Sequence, residues 1–396
     1  MKTYKTLAAL AALSLLTANG AFAKPRADIK VMTQNQYLGA DLTPIVTATS
    51  PEDFNDAVIA ALSAIASNNF PERAAALAES VADKSPHLVG LQEVYKFECI
   101  DFGSGLCSTF HGAFNDHLTV MLDALAAHGA NYVVAAEVQN LTLPAAGFPF
   151  PGLPVFLNAD PIPDIFIKVI DRDVILARAD VVAQAVPYAC ARPSLDGCNF
   201  DTFATADTLA GPIIIERGFV GVDANVGGQV YRFINTHLEV QFPAPLALAP
   251  MIQAGQATEL LVTLAFQPAA PDSRLIVVGD INSSPADPVF PGPFGVPIQP
   301  PYQQLANGTT LFGGPLGFDL TDVWDLRPGN PDGFTCCELP DLSNPASQHG
   351  KRIDVIFTLP APSSVKANVL DAEPKDKTRS LLWPSDHASV SAELAY

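Results

Sequence analysis

Basic residues are scarce in this 396-residue chain, where 22 lysines and arginines stand against 41 aspartates and glutamates for a formal net charge of -19. Such an excess of negative charge repels polyanions at long range, and the basic stripe of a high-affinity nucleic-acid binder is missing. A local basic groove, or a substrate met together with divalent cations, stays compatible with it. Charged residues of either sign make up only 16% of the chain, while 48% is hydrophobic, ample for a large core. Past the N-terminus no segment approaches the ~18 uncharged apolar residues of a membrane span, which excludes transmembrane helices. The absence of a fixed-period repeat excludes solenoid and propeller architectures. With no flexible linker either, residues 24–396 read as a single domain, long for one domain but within the range of a layered α/β fold.

The N-terminus reads as an export signal. Lys2 and Lys5 give a positive start, Leu7 to Leu16 a short apolar run, and Ala21-Phe22-Ala23 small residues on either side of a cleavage point. This predicts removal of residues 1–23, a mature chain starting at Lys24 with a net charge of -21 once Lys2 and Lys5 are gone, and a secreted or periplasmic protein. Six cysteines suit that compartment. Cys99 and Cys107 flank one Gly/Ser-rich loop, Cys190 and Cys198 enclose another of the same length, and two local disulfides are the economical reading. Cys336 and Cys337 are adjacent, so they form either a vicinal disulfide or two unrelated thiols. A zinc centre would want Cys or His pairs converging on one point, and these pairs have no histidine beside them in sequence.

Strand-like and helix-like segments alternate. Ile29 to Thr33, Leu88 to Leu91, Tyr132 to Ala135, Val169 to Ala177, Ile213 to Val222 and Val230 to Asn235 read as strands, as do Arg274 to Val278, Arg352 to Phe357, Ser364 to Leu370 and Ala388 to Leu394. Asp53 to Ala66, Arg73 to Ala82, Asn115 to His128 and Met251 to Phe266 carry helical spacing. Two stretches, 143–163 and 288–301, are rich in Pro and Phe and nearly free of charge. They read as surface loops stiffened by proline; the sharper alternative is that Phe148, Phe150 and Phe294 touch lipid or roof a substrate pocket.

Five segments place polar groups just past apolar strand residues, where a layered scaffold holds them rigidly yet leaves them accessible. They are Met32-Thr33-Gln34-Asn35, Val89-Gly90-Leu91-Gln92-Glu93, Ile234-Asn235-Thr236-His237-Leu238, Val277-Val278-Gly279-Asp280-Ile281-Asn282 and Ser385-Asp386-His387. Together they offer carboxylates and an amide for a hard cation, an Asp-x-Asn pair and two histidines. Oxygen donors of this kind suit Mg²⁺ or Mn²⁺.

With Arg352-Ile353-Asp354 added, this ordered set resembles the endonuclease/exonuclease/phosphatase (DNase I-like) superfamily over essentially the whole mature chain. The resemblance implies an α/β (α+β) four-layered sandwich, with two packed, mainly antiparallel or mixed β-sheets flanked by helices. It implies a divalent-metal phosphoesterase in which Glu93 is the principal metal carboxylate, Asn35 completes or supports the metal shell and Asp386 lies close to the ion. Asp280 would orient or deprotonate the attacking water, and Asn282 would hydrogen-bond phosphate or water. His387 would act as base or phosphoryl donor, its tautomer fixed by Asp354, and His237 would donate to a non-bridging oxygen. His87, His111, His117, His128 and His349 read as structural. The segment Asp171 to Arg178 resembles a family strand but carries Asp173 and Val174 where small residues are common, so it reads as a core strand with charged ends and Arg172 has no catalytic role. The substrate is a phosphoester, nucleic acid or phospholipid, met by a monomer with peripheral membrane contact as an option. The alternatives are a sphingomyelinase-like lipid phosphodiesterase and a non-catalytic binding protein that keeps the fold.

Overall fold

Apolar residues two apart sort most of the long strands into two sheets that pack face to face. The computed structural model describes residues 28–158, 161–208, 211–241, 248–329 and 331–396, so the expected leader, residues 1–23, lies outside the described residues. The first sheet runs in the order Ser364–Leu370, Ser389–Ala395, Ile29–Asn35, Leu88–Gln92, Ile165–Arg178, Lys96–Ile100, and Tyr132–Leu143 and Leu153–Val155 also pair with Ile165–Arg178. The second runs Thr321–Asp322, Asp354–Leu359, Arg274–Asp280, Gln229–His237, Gly218–Val226, Gly197–Asn199, Arg192–Ser194. Val182–Ala185 also pairs with Gly218–Val226. Ile29–Asn35 runs parallel to Leu88–Gln92, and Gln229–His237 parallel to Arg274–Asp280, while their other neighbours are antiparallel. These are the mixed sheets the sequence predicts.

Alternation decides what each face buries. Val31, Leu88, Ile175, Val220, Phe233, Ile276, Val278 and Val390 point between the sheets. Met32, Val89, Leu91 and Leu176 point outward, against Leu77 and Val81 of the Phe70–Lys84 helix and Met121 and Leu125 of the His117–Ala127 helix. On the far side, Ile234, Val277 and Phe357 meet Leu260, Leu261 and Leu264 of the Ala249–Phe266 helix. The result is the helix–sheet–sheet–helix sandwich that the sequence predicts. Cys99 pairs with Cys107 and Cys190 with Cys198, at Cα separations of 5.9 and 6.2 Å, and Cys336 is joined to Cys337.

Two strands differ from the sequence reading. Ile213 to Val222 breaks at Glu216-Arg217: Gly211–Ile215 forms a separate hairpin with Ala204–Thr208, and Gly218–Val226 enters the second sheet. Gly218 allows that entry, since a Cβ there would stand 2.5 Å from the Cys198 carbonyl oxygen. Tyr132 to Ala135 continues to Leu143 through two register shifts. Its later half carries Glu137 and Gln139 between buried Ala136, Val138 and Asn140, so no apolar run marks it.

Asp371 ties helix to sheet, accepting hydrogen bonds from the Ser389 hydroxyl at 2.6 Å and from the Ser80 hydroxyl. Burial pushes its carboxyl from 3.8 up to about 6, although both hydrogen bonds pull it down. The folded state therefore holds this proton more tightly than the unfolded chain does. That stabilisation is complete below pH 3.8 and is lost as pH rises through 6. Asp371→Asn, with no charge to bury, should gain on the wild type by up to about 3 kcal/mol across that window. Urea midpoints followed against pH check this, and parallel curves for the two proteins would refute it.

Candidate active site

Three neighbouring strands of the second sheet end level with one another. Gln229–His237 pairs with Arg274–Asp280 so that Thr236 faces Gly279 and His237 faces Asp280, and the next register sets Asp280 opposite Asp354. Backbone hydrogen bonding thus puts one histidine and two aspartates side by side. Gly279 makes the arrangement possible: its φ is +148°, and a Cβ there would lie 1.8 Å from the Thr236 carbonyl oxygen. Just beyond, Asn282 turns left-handed (φ 49°) and its backbone N–H donates to Asp280 Oδ1 at 2.9 Å. Its side-chain nitrogen donates to the Leu238 carbonyl at 2.9 Å and lies 3.2 Å from His237 Nε2.

The first sheet supplies the facing groups. Asn35 ends its strand opposite Gln92, and Glu93 follows in left-handed backbone (φ 55°). Asn35 Nδ2 donates to Glu93 Oε1 at 3.3 Å and, across the sheets, to Asp280 Oδ2 at 3.1 Å. Glu93 Oε2 accepts from the Leu38 N–H at 2.8 Å. The loop before Ser389–Ala395 brings in His387, whose Nδ1 sits 2.8 Å from Asp354 Oδ2 and whose Nε2 lies 3.7 Å from Asp280 Oδ2. Ser385 fixes that loop by donating to the Asn35 carbonyl at 2.8 Å. Arg73, fully buried, donates to the carbonyls of Gln36, Tyr37, Asn68 and Pro384 and so braces the loops around the centre. All eight residues singled out in the sequence converge: Asn35, Glu93, His237, Asp280, Asn282, Asp354, Asp386 and His387.

The two histidines are driven to opposite charge states. His237 is held well below its ordinary value by burial, by Arg217 and by His387, and stays neutral. Arg217 Nη1 lies 3.0 Å from His237 Nδ1, and a guanidinium can only donate. Nδ1 is therefore the acceptor, and Nε2 carries the proton, 3.5 Å from Asp280 Oδ2. For His387 burial opposes the charge, but Asp354, Asp280 and Asp386 overcome it and raise the imidazole well above its ordinary value. Burial pushes Asp280 up to about 7, His387 opposing and Asp354 adding to the rise. Asp386 is also pushed up to about 7, by burial and by Glu93 against the pull of His387.

This donor set fits a hard divalent cation. Burial resists the charge of Asp280 and Asp386, Glu93 adds to that at Asp386, and Asp354 Oδ1 is buried without a hydrogen-bond partner among the described residues. Crowded carboxylates that resist ionisation alone are stabilised by such a charge.

Sequence reasoning missed a second polar group. Arg217 lies 3.7 Å from Asp171 and 3.6 Å from Glu239, all three nearly or wholly buried next to His237. Asp171 and Asp173 are not at the end of a core strand but inside one, because that strand starts at Ile165. Burial raises Asp171 to about 7, and Asn140 donates to Asp173 at 2.7 Å. The one signal in the sequence is the interruption of apolar runs by Glu216-Arg217 and Asp171-Arg172-Asp173. Arg172 pairs with Asp116 and donates to the Val94 carbonyl. His117 stacks on Phe70 with ring centroids 3.5 Å apart. His349 sits directly behind the centre, its Nε2 3.2 Å from both Glu338 Oε1 and the Asp386 carbonyl. The histidine that Cys336 and Cys337 lack in sequence arrives from the fold: His387 lies within 4.8 Å of both sulfurs.

The family model described as Endonuclease/Exonuclease/phosphatase family matches residues 127–387. No curated protein matches the chain in sequence. Among solved structures, the chain is similar to an endonuclease/exonuclease/phosphatase from Beutenbergia cavernae, with 19% identity, 93% of this chain and 72% of that one covered, and a TM-score of 0.49. A family protein from Bacteroides thetaiotaomicron gives 16%, 94%, 98% and 0.48. A humanized TDP2 of D. rerio gives 14%, 92%, 98% and 0.47.

The level strand ends depend on Gly279. Gly279→Ala should cost roughly 3 kcal/mol or more, since both the positive φ and the contact with backbone forbid a Cβ. A thermal melt within a degree or two of wild type would contradict this account of the register.

Proposed function

Because the chain belongs to the endonuclease/exonuclease/phosphatase family, we propose that it is an exported, divalent-metal-dependent phosphodiesterase that attacks phosphorus with water. The level register of His237, Asp280 and Asp354, with His387 docked against two of them, carries this reading. Two loop-closing disulfides support a working place outside the cytoplasm, after loss of residues 1–23.

Glu93, Asn35 and Asp386 would hold the ion, magnesium or manganese by donor type, and bound there it offsets charge on the phosphate and leaving oxygen. Asp280, buried and raised to about 7, would orient the attacking water and take its proton. Neutral His237 presents Nε2–H, and Asn282 its amide, where negative charge grows on the phosphoryl oxygens. Asp354 holds His387 by Nδ1, leaving Nε2 directed at Asp280 and the reacting group. Arg217 fixes the His237 tautomer and adds positive charge beside it. Every donor is set before substrate arrives, which is where such sites gain most of their rate.

Hydrolysis of bis-p-nitrophenyl phosphate with Mg²⁺ or Mn²⁺ tests the proposal. Turnover should vanish in EDTA and fall by ~10²–10⁴ in His387→Ala with an unchanged circular dichroism spectrum. Full activity in Glu93→Ala would sink the metal assignment, and full activity in His387→Ala the site itself.

A further inference from the structure

Beside this centre lies an apolar cavity of about 300 Å³. One wall is the Pro51–Ser67 helix, through Val58 and Ala61. The opposite wall is the near face of the first sheet, through Leu141 and Ile167, and Ile215 reaches in from the outlying hairpin. Strand alternation explains the lining. Ile167 and Val169 face the cavity, while Phe166, one residue before them, packs with Phe102 and Phe150 on the other side of the sheet. Phe148 packs on Phe150 there, so these aromatics do not roof the cavity. The short Thr43–Thr47 helix lies over it and turns in Ile45 and Val46, burying none of its own residues.

The cavity is continuous with the polar centre. Glu93 and Arg217 line both, and with Asp41 they are its only charged residues among those described. Among the described residues, Thr43 and Tyr95 are the only other polar side chains in its lining, so a sugar or nucleobase in such a slot would leave most of its polar edges without partners, at a cost of about 1–3 kcal/mol each. An alkyl chain has none to lose. We infer that the substrate is an amphiphilic phosphodiester whose alkyl or acyl chain enters this cavity while its phosphate sits at the Glu93–Arg217 end. The inference rests on the phosphodiesterase reading and adds the substrate class to it. A methylene occupies about as much space as a liquid water, roughly 30 Å³, so the cavity holds on the order of ten carbons.

A series of p-nitrophenyl alkyl phosphodiesters, from methyl through butyl and octyl to dodecyl and kept below micelle-forming concentrations, tests this on the full chain with Mn²⁺. The value of kcat/KM should climb about fourfold per methylene and level off near ten carbons. Ala61→Phe, which fills the cavity, should flatten the series and leave the methyl ester's rate unchanged. If that variant does not fold, Ile215→Gln makes the same test by putting an amide in the wall. Calorimetry of octyl phosphate against methyl phosphate in EDTA reads the cavity without turnover, and octyl should bind at least about a hundredfold more tightly. A flat series with good turnover overturns the chain-binding proposal and leaves the phosphodiesterase reading standing. Chain-dependent binding without hydrolysis of any ester does the reverse. Absence of both overturns both, and a steep series that survives in a folded Ala61→Phe variant places the chain elsewhere and overturns the cavity.

Discussion

The two sheets approach each other tightly at Gly90, next to the strand ends that carry the polar centre, and everything above depends on that contact. A Cβ on Gly90 would stand 2.6 Å from the Val278 side chain and 2.7 Å from the Asn235 amide oxygen, so only glycine lets the sheets approach this far. Asn235 bridges the gap, donating to the Leu91 and Val174 carbonyls at 2.9 and 3.1 Å and accepting from Gln92 Nε2 at 2.6 Å. A wholly buried amide that stands on one sheet and finds all its partners on the other fixes their relative height as well as their distance, because a shift of one residue would strand three polar groups away from water. That height sets Asn35 within reach of Asp280 from the opposite sheet.

Within the centre, charge is distributed by neighbours rather than by residue type. Burial opposes charge on both imidazoles; beside His237 a guanidinium adds to it and the ring is neutral, while beside His387 the carboxylates overcome it and favour the protonated ring, with the two Nε2 atoms 3.5 and 3.7 Å from the same Asp280 oxygen. His387 pulls against the rise at Asp280 and Asp386 without cancelling it, and Arg73, whose donors all go to backbone carbonyls, makes no hydrogen bond to either acid. Negative charge in excess of its partners, held in a buried space, is the condition under which a doubly charged cation binds most strongly.

The layered fold and the members of the centre were legible because the polar groups stand at the boundaries of apolar runs, Asn35, Glu93, His237 and Asp280 at their ends and Asp354 and His387 at their starts. The family match over residues 127–387 accords with that reading. Arg217, Asp171 and Glu239 were not legible, since a charge inside an apolar run looks like a boundary and their mutual contact spans 22 to 46 positions of chain. His349 carries no motif at all and reaches Asp386 only through the fold. The cavity escaped for a different reason: its walls take alternate residues from strands and helices far apart, so no single window of sequence carries the pattern.

The Ile29–Asn35 and Ser389–Ala395 strands lie side by side in the middle of the first sheet, Ile29 opposite Leu394 and Thr33 opposite Val390. Asn35 and His387, 352 positions apart, are thereby members of one constellation. A chain still being synthesised holds an early strand whose neighbour on one side does not yet exist. No partial product that stops short of residue 387 can carry the histidine that faces Asp354, however well its earlier elements have formed. The constellation cannot close before residue 387 has been made, and contacts closing across such a separation are the slow ones in folding. Until then the first sheet has an open seam beside Ile29–Asn35, and Asp354 stands without the imidazole that faces it.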